Sequence, residues 1–246
     1  MKLDPVWVPS CGVNLAGLHY QPEDRHKNLT VVLSHGFTSG KYSMDGLASY
    51  LCNNGYPCLT FDAIGHKLGA SGGSMDRIEQ AAEGVQDAVS WVRTNCTTDG
   101  IVLVGHSMGA AASIQAAAWD RALSSADRGP QKIVGLISIC MGIGPERGFE
   151  SVAGASMLAA REDHVTGAPA IDLLKGLNRL IAAAPALDGF ACLVIAAKSD
   201  ILLPVSSVEQ LCSQLGENAE LKVIEAMHLD APDRSRGAIA RWMEQR

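Results

Sequence analysis

Short apolar runs alternate with longer stretches of helical spacing along most of this chain. Residues 29–33, 57–61, 101–104, 133–140, 193–197 and 221–224 are short and mostly apolar, and all but 57–61 are rich in Val, Ile or Leu. That is the pattern of strands buried on both faces. Residues 13–20 alternate instead and predict an edge strand. Between the runs, residues 42–54, 76–94, 107–119, 205–215 and 232–244 read as helices. In residues 76–94 the apolar positions Ile78, Ala82, Val85, Ala88, Val89 and Val92 recur at helical spacing, and residues 42–54 stop at Asn54-Gly55. Strands alternating with helices predict an α/β fold, a mostly parallel central sheet with helices on both faces. Functional groups in such sheets gather beyond the carboxyl ends of the strands.

One segment breaks this rhythm. Residues 141–189 contain no strand pattern. They carry two helix-like stretches, 149–161 and 170–183, interrupted at Gly142, Gly144-Pro145, Gly148, Gly167 and Pro169. They predict a small helical cap inserted between two core strands. The core is then residues 1–140 together with residues 190–246.

Composition narrows the function classes. A chain of 246 residues suits one large domain with a sizeable core. With 47% hydrophobic and 19% charged residues it is globular. A net charge of −6 and 5% aromatics argue against nucleic acid as a partner. No stretch approaches the roughly 20 apolar residues that span a bilayer. Met1-Lys2-Leu3-Asp4-Pro5 breaks with charge and proline before an apolar run forms, unlike a secretory leader. The seven cysteines are scattered, with no C-x-x-C pair, so no metal site is expected from them. Cys58, Cys140 and Cys192 read as small core residues. The expectation is a reduced, cytoplasmic protein.

The chemistry is announced by Gly105-His106-Ser107-Met108-Gly109, placed directly after a buried strand and before an alanine-rich helix. This is the context a nucleophile elbow requires. Small flanking residues let the backbone turn sharply, exposing the hydroxyl and aiming the next helix's amides at its target. A serine hydroxyl needs a histidine to take its proton and an acid to orient that histidine. Downstream lie only His164, in the cap, and His228, between the last strand and the last helix. His228 is the expected base, and His164 a solvated cap residue. Asp200, just past the strand at 193–197, is the expected acid; capping the helix near Pro204 is its structural alternative. Backbone amides of Met108 and of Phe37, in the His35-Gly36-Phe37 turn, are the expected oxyanion donors.

On Ser34-His35-Gly36-Phe37-Thr38-Ser39-Gly40, Asp62 with Gly65-His66, the elbow, Asp200 and His228, the chain resembles α/β-hydrolase-fold serine hydrolases. The likeness is to the capped esterase, lipase and serine-aminopeptidase-like branch, and it spans residues 13–242. It implies a Ser107-Asp200-His228 triad, an acyl-enzyme and no cofactor. One departure stands out. Many relatives have a compact Asp-x-x-Gly-His-Gly-x-Ser turn, whereas here Asp62-Ala63-Ile64-Gly65-His66 runs on through a glycine-rich stretch to Gly73. A mobile loop beside the pocket is expected there, with Asp62 and His66 structural and His106 part of the scaffold, its side chain pointing away from the pocket.

The expected reaction is hydrolysis of a small-molecule carboxylic ester with a small to medium apolar or aromatic acyl group. Thioester hydrolysis or acyl transfer is the alternative. Acyl-CoA would call for basic residues at the pocket mouth, and Lys67, Arg147, Arg161, Lys175 and Arg179 are available. Carbon–carbon hydrolysis ranks lower, as does a peptidase, which would use Glu150, Glu162 or Asp163 to bind an amine. A non-catalytic ligand-binding receptor ranks last.

Overall fold

The computed structural model describes residues 1–124 and 131–246. The strands are β1 (Lys2–Ser10), β2 (Val13–Gln21), β3 (Leu29–Ser34), β4 (Cys58–Phe61), β5 (Gly100–His106), β6 (Lys132–Ile139), β7 (Cys192–Ala197) and β8 (Ala219–Ile224). They form one eight-stranded sheet in the order β1-β2-β4-β3-β5-β6-β7-β8. β1, β2 and β4 pair antiparallel, and every later pairing from β4 to β8 is parallel. The helices are α1 (Asp45–Asn53), α2 (Glu79–Asn95), α3 (Met108–Ala122), α4 (Val152–Ala159), α5 (Ala170–Ile181), α6 (Val205–Gln214) and α7 (Ala231–Met243).

The sheet separates two apolar layers. On one face Val32, Leu103 and Leu136 meet α2 and α3, and Val194 meets α6. On the other face Val31, Val102, Ile137 and Ile195 meet α1 and α7. β5 is buried along its whole length, which is why its apolar residues run unbroken. Among the described residues no helix is long and apolar enough to cross a membrane.

The edge assignment at the N-terminus is overturned. β2 is not an edge, because β1 pairs along its full length, Lys2 opposite Gln21 through Ser10 opposite Val13. Cys11 and Gly12 form the two-residue turn, both with positive φ, at 49° and 77°. That is the hairpin geometry that matches strand twist. Pro5 and Pro9 are tolerated because β1 is the outermost strand, where missing N–H donors face away from the sheet. Its alternation was hidden because Leu3 and Trp7 are apolar yet exposed.

Between β6 and β7 the chain leaves the sheet for α4, α5 and three short 3-10 turns. α4 starts on a capping serine, Ser151 Oγ accepting from the Gly154 amide at 3.0 Å. α5 turns Leu173, Leu174, Leu177, Leu180 and Ile181 inward against α3. This segment also makes a backbone ladder to the loop after β4. Thr166 N donates to Gly65 O, Met75 N to Thr166 O and Lys67 N to His164 O, each at 2.8 Å, and Ala168 N to Met75 O at 3.0 Å. A methyl group on Gly167 would lie 2.1 Å from Met75 O, and one on Gly65 would lie 2.6 Å from Thr166 O. Glycine is therefore required on both sides of the ladder.

The loop at residues 62–73 is organised around Asp62, which is fully buried. Its carboxylate accepts from Lys41 N at 2.7 Å and Ala70 N at 3.0 Å, and it pairs with Lys41 Nζ. Ser71 Oγ donates to Asp62 O and accepts from Ala16 N. In place of the free loop expected there, the structure holds a pinned one.

Candidate active site

Ser107 stands at the end of β5 with φ 52° and ψ −119°, a conformation that costs a non-glycine residue about 1–3 kcal/mol. Its neighbours explain how the turn is made. A methyl at Gly105 would lie 2.3 Å from Gly109 O and 2.4 Å from the Ala110 backbone. A methyl at Gly109 would lie 2.3 Å from Ser34 O. Only glycine permits such approaches between β3, β5 and α3. The turn is held by Ser107 N donating to Ile139 O at 2.8 Å, and by Ala110 N and Ala111 N donating to Ser107 O. The Met108 and Gly109 amides remain at the open N-terminus of α3.

His228, between β8 and α7, and Asp200, after β7, meet at this edge of the sheet. His228 Nδ1 donates to Asp200 Oδ2 at 2.7 Å, leaving Nε2 as the basic nitrogen. Asp200 Oδ1 accepts from the amides of Leu202 at 2.9 Å and Leu203 at 3.0 Å. Burial pushes the Asp200 carboxyl up. The His228 hydrogen bond and charge, then the two amides, outweigh it and hold the group below the usual carboxylate range. Ser107 and His228 line one cavity, and among the described residues no hydrogen bond joins them. Such contacts often tighten only when substrate is bound.

Phe37 lies on the same cavity. A methyl on Gly36 would stand 3.3 Å from Ser107 Cβ, so the Gly36–Phe37 backbone runs directly beside the serine. His35 fixes this turn: Nε2 accepts from Ala63 N at 2.9 Å, and Nδ1 therefore carries the proton given to Gly36 O at 2.8 Å. Burial keeps His35 neutral by pushing its pKa down.

A family model for the alpha/beta hydrolase family matches residues 31–243. The chain belongs to that family. Solved structures similar over nearly the whole fold include an esterase of Pyrococcus furiosus, 20% identical, covering 99% of this chain and 92% of that one with a TM-score of 0.74. Another is Est1E of Butyrivibrio proteoclasticus with ferulic acid bound, 18% identical, covering 98% of each chain, also at 0.74. An acyl transferase of Photobacterium phosphoreum is 27% identical over 86 residues, which is 34% of this chain and 28% of that protein's length.

The remaining groups of this family member are arranged around the cavity. Counted with the solvent space at its open mouth, it spans about 760 Å³. Phe37, Leu202, Leu203 and Leu229 come from the core, and Phe149, Met157, Leu158, Leu174 and Leu177 from the segment between β6 and β7. His164 is not on the cavity wall; it is partly buried, with Nδ1 enclosed and unpartnered. No residue of the 62–73 loop lines the cavity. Nor do Glu150, Glu162 and Asp163, so among the described residues no Asp or Glu lines the cavity to hold a peptidase substrate's amine.

Three groups carry more than their sequence positions suggested. His106 points inward toward the site, not away from it as expected. Its Nε2 donates to His228 O at 2.9 Å, and its ring centre lies 4.9 Å from that of His228. Burial, with repulsion from His228, pushes its pKa down to about 3, so it stays a neutral brace. Cys140, with φ 50°, has its Sγ within 4.8 Å of ring nitrogens of both His106 and His228. These three form a buried group of metal-ligand type. Burial and the nearby Asp200 push the thiol well up, so Cys140 stands protonated beside the two histidines. Arg161 reaches the cavity from beyond α4, alone among the five basic candidates for the pocket mouth.

Proposed function

We propose that this protein is a serine carboxylesterase working through an acyl-enzyme. The observation that carries the reading is the strained Ser107 beside an Asp200-held His228 in one largely apolar cavity. His228 Nε2 takes the Ser107 proton as Oγ attacks the ester carbonyl. The tetrahedral oxyanion is held by the amides of Met108 and Phe37. His228 then gives the proton to the leaving alkoxide as the C–O bond breaks. Water, deprotonated by the same nitrogen, attacks the acyl-serine, and Ser107 is restored as the acid departs. The segment at residues 141–189 acts as the cap that shapes the acyl site. Phe37, Phe149, Met157 and the leucines suit a medium apolar or aromatic group. Est1E, whose structure holds an aromatic carboxylic acid, supports that choice.

The short likeness to an acyl transferase favours a second fate for the same intermediate, capture by an alcohol instead of water. Methanol added to the assay separates the two: a methyl ester product at low methanol marks transfer, and free acid marks hydrolysis.

The central test is Ser107→Ala with p-nitrophenyl butyrate. A loss of at least about a thousandfold in kcat is expected, with only binding and oxyanion stabilisation left. A fluorophosphonate should label the native protein at Ser107 alone. A variant retaining near-normal turnover would reject the assigned nucleophile.

A further inference from the structure

Of the described residues that line the cavity, Arg161 is the one Lys, Arg, Asp or Glu; the rest are apolar, small or hydroxylic, apart from His106 and His228. The other basic candidates are placed elsewhere. Lys67, Arg147, Lys175 and Arg179 are absent from this wall, and Arg179 pairs with Glu79. Arg161 is partly buried, and among the described residues no carboxylate pairs with it. A cation facing an apolar cavity without a counter-charge is costly unless something anionic visits it.

Its geometry is fixed. Nε donates to Thr38 Oγ1 and Nη2 donates to Thr38 O, both at 3.0 Å. Thr38 is itself buried with φ 62°, in the turn that carries Phe37. Two of the five guanidinium hydrogens are thus spent on the protein. Both hydrogens on Nη1 and the second on Nη2 have no partner among the described residues. Held this way, the side chain is pre-organised, and its free donors suit a planar carboxylate.

We infer that Arg161 is the anion subsite of this cavity, so that preferred substrates are esters that also carry a carboxylate. This rests on the esterase reading above and names the substrate class for it. The carboxylate is either on the acyl chain or on the alcohol, and two substrate pairs separate those sources. Monomethyl adipate against methyl hexanoate tests the acyl side. 4-Acetoxybenzoate against phenyl acetate tests the alcohol side.

For each pair the readout is the ratio of kcat/KM, charged over neutral, in the native enzyme and in Arg161→Met. Loss of a charge-assisted contact is expected to lower that ratio about tenfold to a hundredfold for one pair. The native ratio should also fall as salt rises. Arg161→Lys, which keeps the charge but loses the planar fork, should fall between. Where turnover is slow, the same ratios are read from protection of Ser107 against fluorophosphonate labelling. An equal change for charged and neutral members of both pairs would make Arg161 only a brace for Thr38 and overturn the inference. Failure of Ser107 to label at all would instead overturn the esterase reading.

Discussion

Asp200→Asn separates a catalytic aspartate from a structural one, because the structure dictates how the new amide must sit. Oδ1 of Asp200 accepts from the amides of Leu202 and Leu203, while Oδ2 accepts from His228 Nδ1. An asparagine can keep the two backbone bonds only by placing its oxygen toward Leu202 and Leu203. Its NH₂ then faces His228. The opposite orientation abandons two buried amides, at about 1–3 kcal/mol each or roughly 2–6 kcal/mol together. With an NH₂ against it, Nδ1 must accept, and the ring proton moves to Nε2. That nitrogen can no longer take the proton of Ser107. The expected fall in kcat is about a thousandfold to ten-thousandfold, at nearly native thermal stability. Asp200→Ala should show the inverse balance. It leaves the ring free to protonate on either nitrogen, so it retains more activity than the asparagine variant. It also strands the two amides, so its Tm is lower. The assay is steady-state turnover of p-nitrophenyl butyrate beside a thermal melt for each variant. An Asp200→Asn enzyme within tenfold of native, or more active than Asp200→Ala, would refute this account of the acid.

The loop after β4 and the buried histidines support two further expectations. Lys41→Met leaves the fully buried Asp62 carboxylate without its cation, at a cost of about 3–5 kcal/mol, or a Tm lower by roughly 6–20 °C; a melt within 3 °C of native would show that the pair is dispensable. His66 is held down to about 3 by burial and by repulsion from His35, with its Nε2 enclosed and unpartnered. Below about pH 6.5 the unfolded chain binds a proton that folded His66 refuses until about pH 3, so stability falls on acidification across that window. His66→Phe should remove roughly 2 kcal/mol of the loss between pH 7.5 and pH 5, read from urea midpoints; unchanged pH dependence would mean that His66 is not neutral in the folded protein.

What could be read from the chain depended on whether one local pattern carried the information. β3 to β7 are buried on both faces, so their apolar runs marked them without help from the rest of the molecule. Ser107, Asp200 and His228 sit where those strands end or the last helix begins, so order and topology together placed them at one edge. β1 was lost because its exposed face carries Leu3 and Trp7 and its backbone carries two prolines, features that are consistent only with an edge position. Arg161 was one of five basic candidates for the pocket mouth, and nothing in its run Arg161-Glu162-Asp163 set it apart from the other four. Only the path of the chain after α4 turns Arg161 inward while Glu162 and Asp163 stay exposed. The inward placement of His106 was unreadable for a similar reason, since its partner is a backbone carbonyl of residue 228.

Chemistry and recognition are held here by different kinds of constraint. Ser107, Phe37 and Met108 are fixed by close backbone approaches in the sheet's own turns, where Gly105 and Gly109 leave no room for a methyl group and Gly36 leaves little. The part of the apolar wall that we propose faces the acyl group comes from the segment between β6 and β7. α5 anchors it by packing against α3, and two sets of hydrogen bonds tie it further to loops of the core. One is the backbone ladder from residues 164–168 to residues 65–75. The other is the pair of bonds from Arg161 to Thr38. The extended glycine-rich stretch after Asp62, whose length departs from the compact turn of many relatives, supplies the first of these ties. Its rigidity depends on the buried Asp62–Lys41 pair. Loosening that pair should therefore disturb the position of the wall, and with it the choice of substrate, before it disturbs the elbow. In Lys41→Met, measured at a temperature where the fold is intact, the ranking of esters by acyl length should change while the rate of fluorophosphonate labelling at Ser107 stays close to native. Equal losses in both would show that the loop supports the elbow itself.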